Sequence, residues 1–282
     1  MKLGFIDVGG GTRVIYGAGV FDKFLEENIS CDYFIGVSAG VANGASFLAG
    51  QTYRNYRFYN DYAYRKDYMS LKNLFRDGSY IGLDYIYSDL SNSYGEDPLD
   101  YEAMVKNKAE FEIVASHAGS GKARYFTKKD LSKDNYDPIK ASCCVPVICK
   151  PYEIGGEGYY DGGITDPIPY KRALDRGCDK LVIILTRPKD YFRDPKDDMK
   201  ISRILKKSHP KAAKALRKRA EVYNKSLKEI LELERTGKVF IISPDSIGNL
   251  KTLSQDPKKL DRLYDMGRLD GEKYIGRKSF YK

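Results

Sequence analysis

The segment Gly36-Val37-Ser38-Ala39-Gly40 has the pattern G-x-S-x-G and could supply a nucleophile. An apolar run at 31–37 precedes it and predicts a strand, and a small-residue run at 39–49 follows it and predicts a helix. A serine in so sharp a turn holds its hydroxyl clear of its neighbours. We therefore predict Ser38 as a nucleophile for acyl transfer, with Gly36 and Gly40 as the small residues that the turn requires.

A second segment, Gly9-Gly10-Gly11, follows another predicted strand at 2–8 and precedes a helical pattern. A crossover helix makes the two flanking strands parallel, so both end at the same sheet edge. The glycine loop and Ser38 should therefore lie close together. Backbone N–H groups of such a loop can stabilise the oxyanion of a tetrahedral intermediate. Arg13 should steady this loop or face an anionic substrate.

Other interpretations of the glycine loop fit less well. A dinucleotide fingerprint needs a third glycine where this chain has Val14, and an acidic residue where it has Ser38. A P-loop needs Gly-Lys-Ser/Thr, which the loop lacks. A turn that only connects two elements remains the other interpretation.

A nucleophilic serine needs a base, and this chain has 2 histidines. His117 ends a predicted strand at 111–116, and His209 precedes a proline in a lysine-rich stretch. A triad in the order Ser, acid, His would have to recruit His209. The third motif, Asp161-Gly162-Gly163, favours Asp161 as a base that acts directly on Ser38, with the two histidines as the alternatives.

These motifs together resemble the patatin-like phospholipase family. The similarity covers about residues 1–190 and includes Asp7-Val8-Gly9-Gly10-Gly11-Thr12-Arg13, the Ser38 turn, Ala141-Ser142-Cys143-Cys144-Val145-Pro146 and Asp161-Gly162-Gly163. The resemblance implies a Ser–Asp dyad of Ser38 and Asp161, an oxyanion loop at Gly9, Gly10 and Gly11, and lipid acyl esters as substrates without a metal or other cofactor. The chain departs from the family pattern at Val14, Cys143 and Cys144.

The predicted fold is a three-layer α/β/α sandwich with a mostly parallel sheet and the site at its carboxyl edge. We expect residues 1–190 to form the patatin-like catalytic domain, with a helical insertion at 50–110. Residues 191–282 form a mainly helical, basic C-terminal region docked on it. The chain starts directly with a strand, has no apolar run of about 20 residues, and carries 5 cysteines, an odd number that favours reduced thiols. We therefore expect a cytoplasmic protein.

The positive charge is concentrated at 200–238, where thirteen Lys and Arg face four Glu, an excess equal to the net charge of +9 of the whole chain. After Pro210 this segment shows a helical apolar stripe with a basic opposite face. A solvated helix packed on the domain, a peripheral contact with an anionic membrane, and a nucleic-acid patch are all compatible with it. Charge runs usually face water, and nucleic acid is the least favoured partner. The basic residues concerned are Lys206, Lys207, Lys214, Arg217, Lys218 and Arg219.

The insertion begins with a stretch dense in tyrosine and arginine. It could form the lid or wall of an acyl pocket with arginines near a phosphate, or simply pack as helices. Its residues are Tyr53, Arg54, Tyr56, Arg57, Phe58, Tyr59, Tyr62, Tyr64, Arg65 and Tyr68.

The sequence as a whole predicts hydrolysis of an acyl ester, in a phospholipid or lysophospholipid. The alternatives are a thioesterase or acyltransferase with the same dyad, and a basic lipid- or nucleic-acid-binding protein whose site is vestigial.

Overall fold

The computed structural model describes residues 1–276 and contains an eight-stranded sheet. β3, β2, β1, β7 and β8 are adjacent in that order and parallel, whereas β4, β5 and β6 pair antiparallel beside β3, which confirms the mostly parallel sheet. The strands are β1 (Leu3–Asp7), β2 (Tyr33–Val37), β3 (Glu110–His117), β4 (Ala123–Thr127), β5 (Tyr152–Ile154), β6 (Glu157–Asp161), β7 (Lys180–Ile184) and β8 (Val239–Ile242).

Helices connect these strands and include the predicted helices after the glycine loop and after Ser38. A π-helical segment spans Tyr85–Asp89, and a 3₁₀ turn at Gly11–Val14 leads into α1. The helices are α1 (Ile15–Glu26), α2 (Gly40–Leu48), α3 (Arg54–Asn60), α4 (Leu71–Asp77), α5 (Tyr101–Lys106), α6 (Asp137–Ser142), α7 (Tyr170–Asp175), α8 (Lys196–Leu205), α9 (Pro210–Arg235) and α10 (Pro257–Ile275).

Two apolar layers lie on opposite faces of the sheet. Successive strand residues point to opposite faces, so Phe5 of β1 and Phe34 of β2 pack with α1, α2 and α10. Their neighbours Ile6 and Ile35 pack with α7 and α9. Because both faces are covered, these strands are continuous apolar runs rather than alternating ones. The three-layer α/β/α sandwich is thereby confirmed.

β3 brings the ends of β2 and β6 together. Val114 of β3 pairs with Val37 of β2, and the next residue, Ala115, pairs with Asp161 of β6. β4 occupies the opposite side of β3 at both positions, so β2 and β6 lie along the same side. β2 runs parallel to β3 and β6 antiparallel, and the two strands therefore point at each other end to end. This register places Asp161 near Ser38.

The C-terminal region contributes to all three layers. β8 extends the sheet beside β7, and α9 buries the apolar stripe that the sequence predicts after Pro210. On the other face, α10 packs on α1, where the Tyr264 hydroxyl donates a hydrogen bond to Asp22 at 2.7 Å. The last part of the predicted C-terminal region, residues 277–282, lies outside the described residues. Within residues 1–276, no helix is both long and apolar enough to cross a membrane.

Candidate active site

Ser38 lies in a strained turn between β2 and α2. Its φ of 55° is in the left-handed region, which residues with a side chain rarely adopt. The turn also needs small neighbours: a Cβ at Gly36 would lie 2.7 Å from Val41 Cα, and one at Gly40 would lie 2.8 Å from the Asp7 carboxyl carbon. The local structure is therefore the sharp strand-to-helix turn that presents a serine hydroxyl.

Ser142, at the end of α6, fixes the backbone of this turn. Its buried hydroxyl accepts a hydrogen bond from the Ser38 N–H at 2.9 Å and donates one to the Val114 carbonyl at 2.6 Å. The hydroxyl thus ties the Ser38 turn to β3. Sequence reasoning noted Ser142 only as part of a segment similar to the family, and nothing in its spacing revealed this contact.

The glycine loop lies against the Ser38 turn. All three glycines have positive φ, at 69°, 138° and 63° for Gly9, Gly10 and Gly11, and a Cβ at Gly9 would lie 3.0 Å from Ser38 Cβ. The Gly9 N–H donates to Asp7 Oδ1 at 3.1 Å. In the described part of the chain, the N–H groups of Gly10 and Gly11 donate to no protein acceptor, so these two remain available to a ligand.

Asp7, at the end of β1, fixes the position of the glycine loop through its hydrogen bond with the Gly9 N–H. Besides the Gly9 N–H, its carboxyl accepts a hydrogen bond from Asn43 Nδ2 of α2 at 2.8 Å. Complete burial raises the pKa of Asp7 to about 7, although both hydrogen bonds favour the ionised form. Asp7 therefore links the glycine loop to the helix that follows Ser38.

Asp161 is buried at the end of β6, where its Oδ1 accepts a hydrogen bond from the Gly163 N–H at 2.8 Å. A cavity of about 600 Å³ is lined by Asp161, Ser38 and the glycine loop. Across the described residues, the Ser38 hydroxyl and the Asp161 carboxylate share this cavity without a direct hydrogen bond. Hydrogen bonds between catalytic groups are often long or poorly aligned until substrate binds.

The two histidines lie elsewhere. His117 contacts Glu157 Oε2 through Nε2 at 2.7 Å, and His209 lies beside the Tyr160 hydroxyl at 3.2 Å, where α9 begins. Neither histidine is among the residues that line the cavity. The geometry therefore favours Asp161 over either histidine as the proton acceptor for Ser38. Residues 1–276 also contain no cluster of three His, Cys, Asp or Glu suited to a metal ion.

The lining of the cavity contains two chemically different groups of residues. The apolar lining comes from the insertion and from the segment between α6 and β5, and it consists mainly of Tyr59, Tyr68, Met69, Ile81, Leu83, Ile86 and Ile148. The cationic lining comes from the glycine-loop turn, the β7–α8 loop, α8 and α9, and it consists of Arg13, Arg187, Arg193, Lys200 and Arg219. Such a cavity can hold an amphiphile.

The tyrosine-arginine stretch of the insertion contributes only tyrosines to this cavity. Tyr59 and Tyr68 line it, in agreement with a wall of a pocket. The expectation of arginines near a phosphate is wrong for this stretch, because Arg57 forms a bidentate pair with Asp97 at 2.6 and 2.9 Å and Arg65 pairs with a glutamate. Apart from Arg13, the cations of the cavity lie instead in the β7–α8 loop, on α8 and on α9, and the sequence did not reveal that they would line the cavity. The Thr186-Arg187 pair, which begins two residues after the end of β7, was the available signal, because that strand ends at the same sheet edge.

The glycine loop, the Ser38 turn and Asp161 lie within a segment that matches a family model. The model of the patatin-like phospholipases matches residues 8–174, and the chain belongs to this family. A second model, a domain of unknown function (DUF6363), matches residues 209–278, which include α9 and α10.

Two particular proteins resemble the chain over nearly its whole length. It is 26% identical over 282 residues to the uncharacterized protein YjjU of Escherichia coli (strain K12), a match that covers 97% of this chain and 77% of YjjU. VipD from Legionella pneumophila has a similar structure, with a TM-score of 0.51 and 16% identity over 98% of this chain and 67% of VipD. At that identity the likeness to VipD shows the fold.

Proposed function

We propose that this protein is a serine acyl hydrolase that cleaves an acyl ester of a phospholipid or lysophospholipid. One observation carries the proposal: Ser38 in its strained turn, the Asp161 carboxylate and the free N–H groups of Gly10 and Gly11 line one cavity that also has an apolar lining. Membership of the patatin-like phospholipases supports lipid hydrolysis as the general class of reaction.

In the proposed reaction, the Ser38 hydroxyl attacks the ester carbonyl carbon while Asp161 accepts its proton. The carbonyl oxygen becomes an oxyanion, which accepts hydrogen bonds from the Gly10 and Gly11 N–H groups. Collapse of this intermediate breaks the ester bond, and the leaving alcohol takes the proton from Asp161. Water then attacks the carbonyl carbon of the acyl-enzyme while Asp161 accepts its proton. The acyl–Ser38 bond breaks, Ser38 Oγ takes that proton from Asp161, and the fatty acid is released.

The Gly9 N–H already donates to Asp7, so we assign Gly9 a positioning role rather than a direct contact with the oxyanion. Its positive φ and its closeness to Ser38 hold the loop against the nucleophile. A larger residue at this position would push the loop away from the carbonyl that it has to stabilise.

Exchange of Ser38 for alanine tests the proposal. Wild-type protein should hydrolyse a short-chain nitrophenyl ester, and Ser38→Ala should lower kcat/KM by at least about a thousandfold, because the nucleophile is removed. The exposed Ser246→Ala provides a matched control and should keep wild-type activity. Undiminished turnover by a folded Ser38→Ala protein would overturn the proposal.

A thioesterase or acyltransferase would use the same residues. A panel of oxygen esters, thioesters and acyl acceptors separates these reactions, since hydrolysis of oxygen esters should be the fastest. A vestigial binding protein would turn over none of them.

A further inference from the structure

The cavity carries positive charge that the proposed chemistry of Ser38 and Asp161 does not use. Arg13, Arg187 and Arg219 line it. They belong to three separate parts of the chain: the turn after the glycine loop, the loop after β7, and α9. Three cations brought to one cavity from such distant segments need a structural or a ligand-binding explanation.

In the described part of the chain, Arg13 has no counter-ion although it is almost completely buried, with 5% of its surface exposed. Its Nη1 donates to Thr252 Oγ1 at 3.1 Å, whereas its Nε has no hydrogen-bond partner within the described residues. Burial, together with the nearby Arg187, lowers the pKa of Arg13 to about 10. Among residues 1–276, neither Arg13 nor Arg187 pairs with a carboxylate. A bound anion would relieve this uncompensated charge.

Arg219 of α9 lies beside the proposed base. A Cβ at Gly163 would lie 3.0 Å from Arg219 Nη2, and Asp161 is two residues earlier. Arg219 Nη1 is 3.7 Å from Asp198 Oδ1, but Arg193 already holds that carboxylate at 2.6 and 2.7 Å. As far as the structure describes the chain, Arg219 Nε has no hydrogen-bond partner. Asp161 and Asp198 both attract the guanidinium, but the 3.7 Å contact with Asp198 is its only ion pair among residues 1–276, so the protein neutralises it only in part.

Two further carboxylates at the cavity do not neutralise the three arginines. Asp194 and Asp197 are exposed, and each is 3.4 Å from a lysine, Lys196 and Lys200 respectively. Because water screens exposed charges, such carboxylates interact only weakly with other charged groups, the arginines included. Among the residues that line the cavity, the four arginines Arg13, Arg187, Arg193 and Arg219 therefore outnumber the two buried carboxylates, Asp161 and Asp198.

We propose that Arg13, Arg187 and Arg219 form an anion subsite that binds the phosphate group of the lipid substrate. The inference rests on the proposed function and extends it, because the apolar lining would hold the acyl chain of the same molecule. A phosphate is tetrahedral and can accept hydrogen bonds from guanidinium groups that approach from several directions. By this account α9, in the segment matched by the domain of unknown function, completes the active site.

Direct binding tests the subsite without any hydrolysis. The probes are the octyl ether of glycerol and the phosphate monoester of that ether, which contain no carboxylic ester bond and are used below their micelle concentrations. In calorimetry, wild-type protein should bind the phosphate monoester at least about tenfold more tightly than the neutral ether. Arg219→Gln and Arg187→Gln should each remove most of this preference. Arg217→Gln, on the exposed face of α9, should keep it.

The outcomes separate this inference from the proposed function. Equal binding of the two ethers by wild-type protein, or an unchanged preference in both Arg219→Gln and Arg187→Gln, would overturn the subsite even if the protein hydrolyses esters. The predicted pattern of binding would support it even if hydrolysis fails. Inorganic phosphate that binds as tightly as the phosphate monoester would identify a site for free phosphate and overturn the assignment to a lipid.

Discussion

At the scale of single residues, the account depends on Asp161 as the base. Asp161→Asn should fold normally, because an amide oxygen can still accept the Gly163 N–H, but it cannot take the serine proton. We expect the rate of ester hydrolysis to fall by about a hundredfold to ten-thousandfold. Steady-state kinetics with a soluble nitrophenyl ester measure this loss.

Asp166→Asn is the matched control, because Asp166 lies five residues further on and accepts a hydrogen bond from the Tyr125 hydroxyl away from the cavity. That variant should retain wild-type activity. A full loss in His117→Ala or His209→Ala, with activity retained in Asp161→Asn, would replace the dyad by a triad.

The residues with a local signature could be predicted from the sequence. Ser38, Asp161 and the glycine loop stand in motifs whose spacing carries chemical meaning, and they line one cavity. Ser142 and Arg219 have no such signature, because their contacts join segments more than 50 residues apart. Such contacts depend on how the elements pack, and only the structure reveals them.

At the scale of elements, the attachment of α10 to α1 gives a stability prediction. Tyr264→Phe removes the hydroxyl that donates to the buried Asp22 and leaves that carboxyl with fewer partners. The free energy of unfolding should fall by about 1–3 kcal/mol. Urea denaturation monitored by circular dichroism measures the change.

Tyr56→Phe provides the comparison on the same surface. The Tyr56 hydroxyl donates to Asp261 at 2.8 Å, but both residues are half-exposed, so water can replace the lost bond. Its loss in unfolding free energy should stay below about 1 kcal/mol. Equal losses in the two variants would mean that the Tyr264–Asp22 contact does not hold α10 in place.

Some elements could be predicted from the sequence better than others. The parallel β1–α1–β2–α2 unit follows from local periodicity and the handedness of crossovers, and it is present. The antiparallel β4 and β5 are mostly not buried, and β6 is buried only over its last three residues, so their apolar pattern is weak. The end-to-end meeting of β2 and β6 on β3 arises from strand register, which the sequence alone did not specify.

At the scale of the whole molecule, the positive charge is divided between the cavity and the surface. Arg219 faces Gly163, whereas the other basic residues singled out on sequence are exposed, and contact with an anionic membrane stays a prediction for them. They are Lys206, Lys207, Lys214, Arg217 and Lys218.

We expect exchange of these five residues for glutamine to weaken binding to phosphatidylserine vesicles, because it removes positive charges that anionic lipid attracts. Salt screens this long-range attraction between exposed cations and lipid. Hydrolysis of a soluble ester should stay within about twofold of wild type, because none of the five lines the cavity. Vesicle cosedimentation at low and high salt measures the effect. Equal affinity of the two proteins would make this face merely solvated, and a preference for nucleic acid over vesicles would support the third interpretation.

The most direct test of the central claim is to map the residue that a fluorophosphonate probe modifies. The probe reacts with a serine only when a base and an oxyanion site activate it. Mass spectrometry of the digested wild-type protein should locate one phosphonate on Ser38, and Asp161→Asn should label far more slowly. Absence of labelling, or labelling at a serine outside the cavity, would contradict the claim that Ser38 is an activated nucleophile.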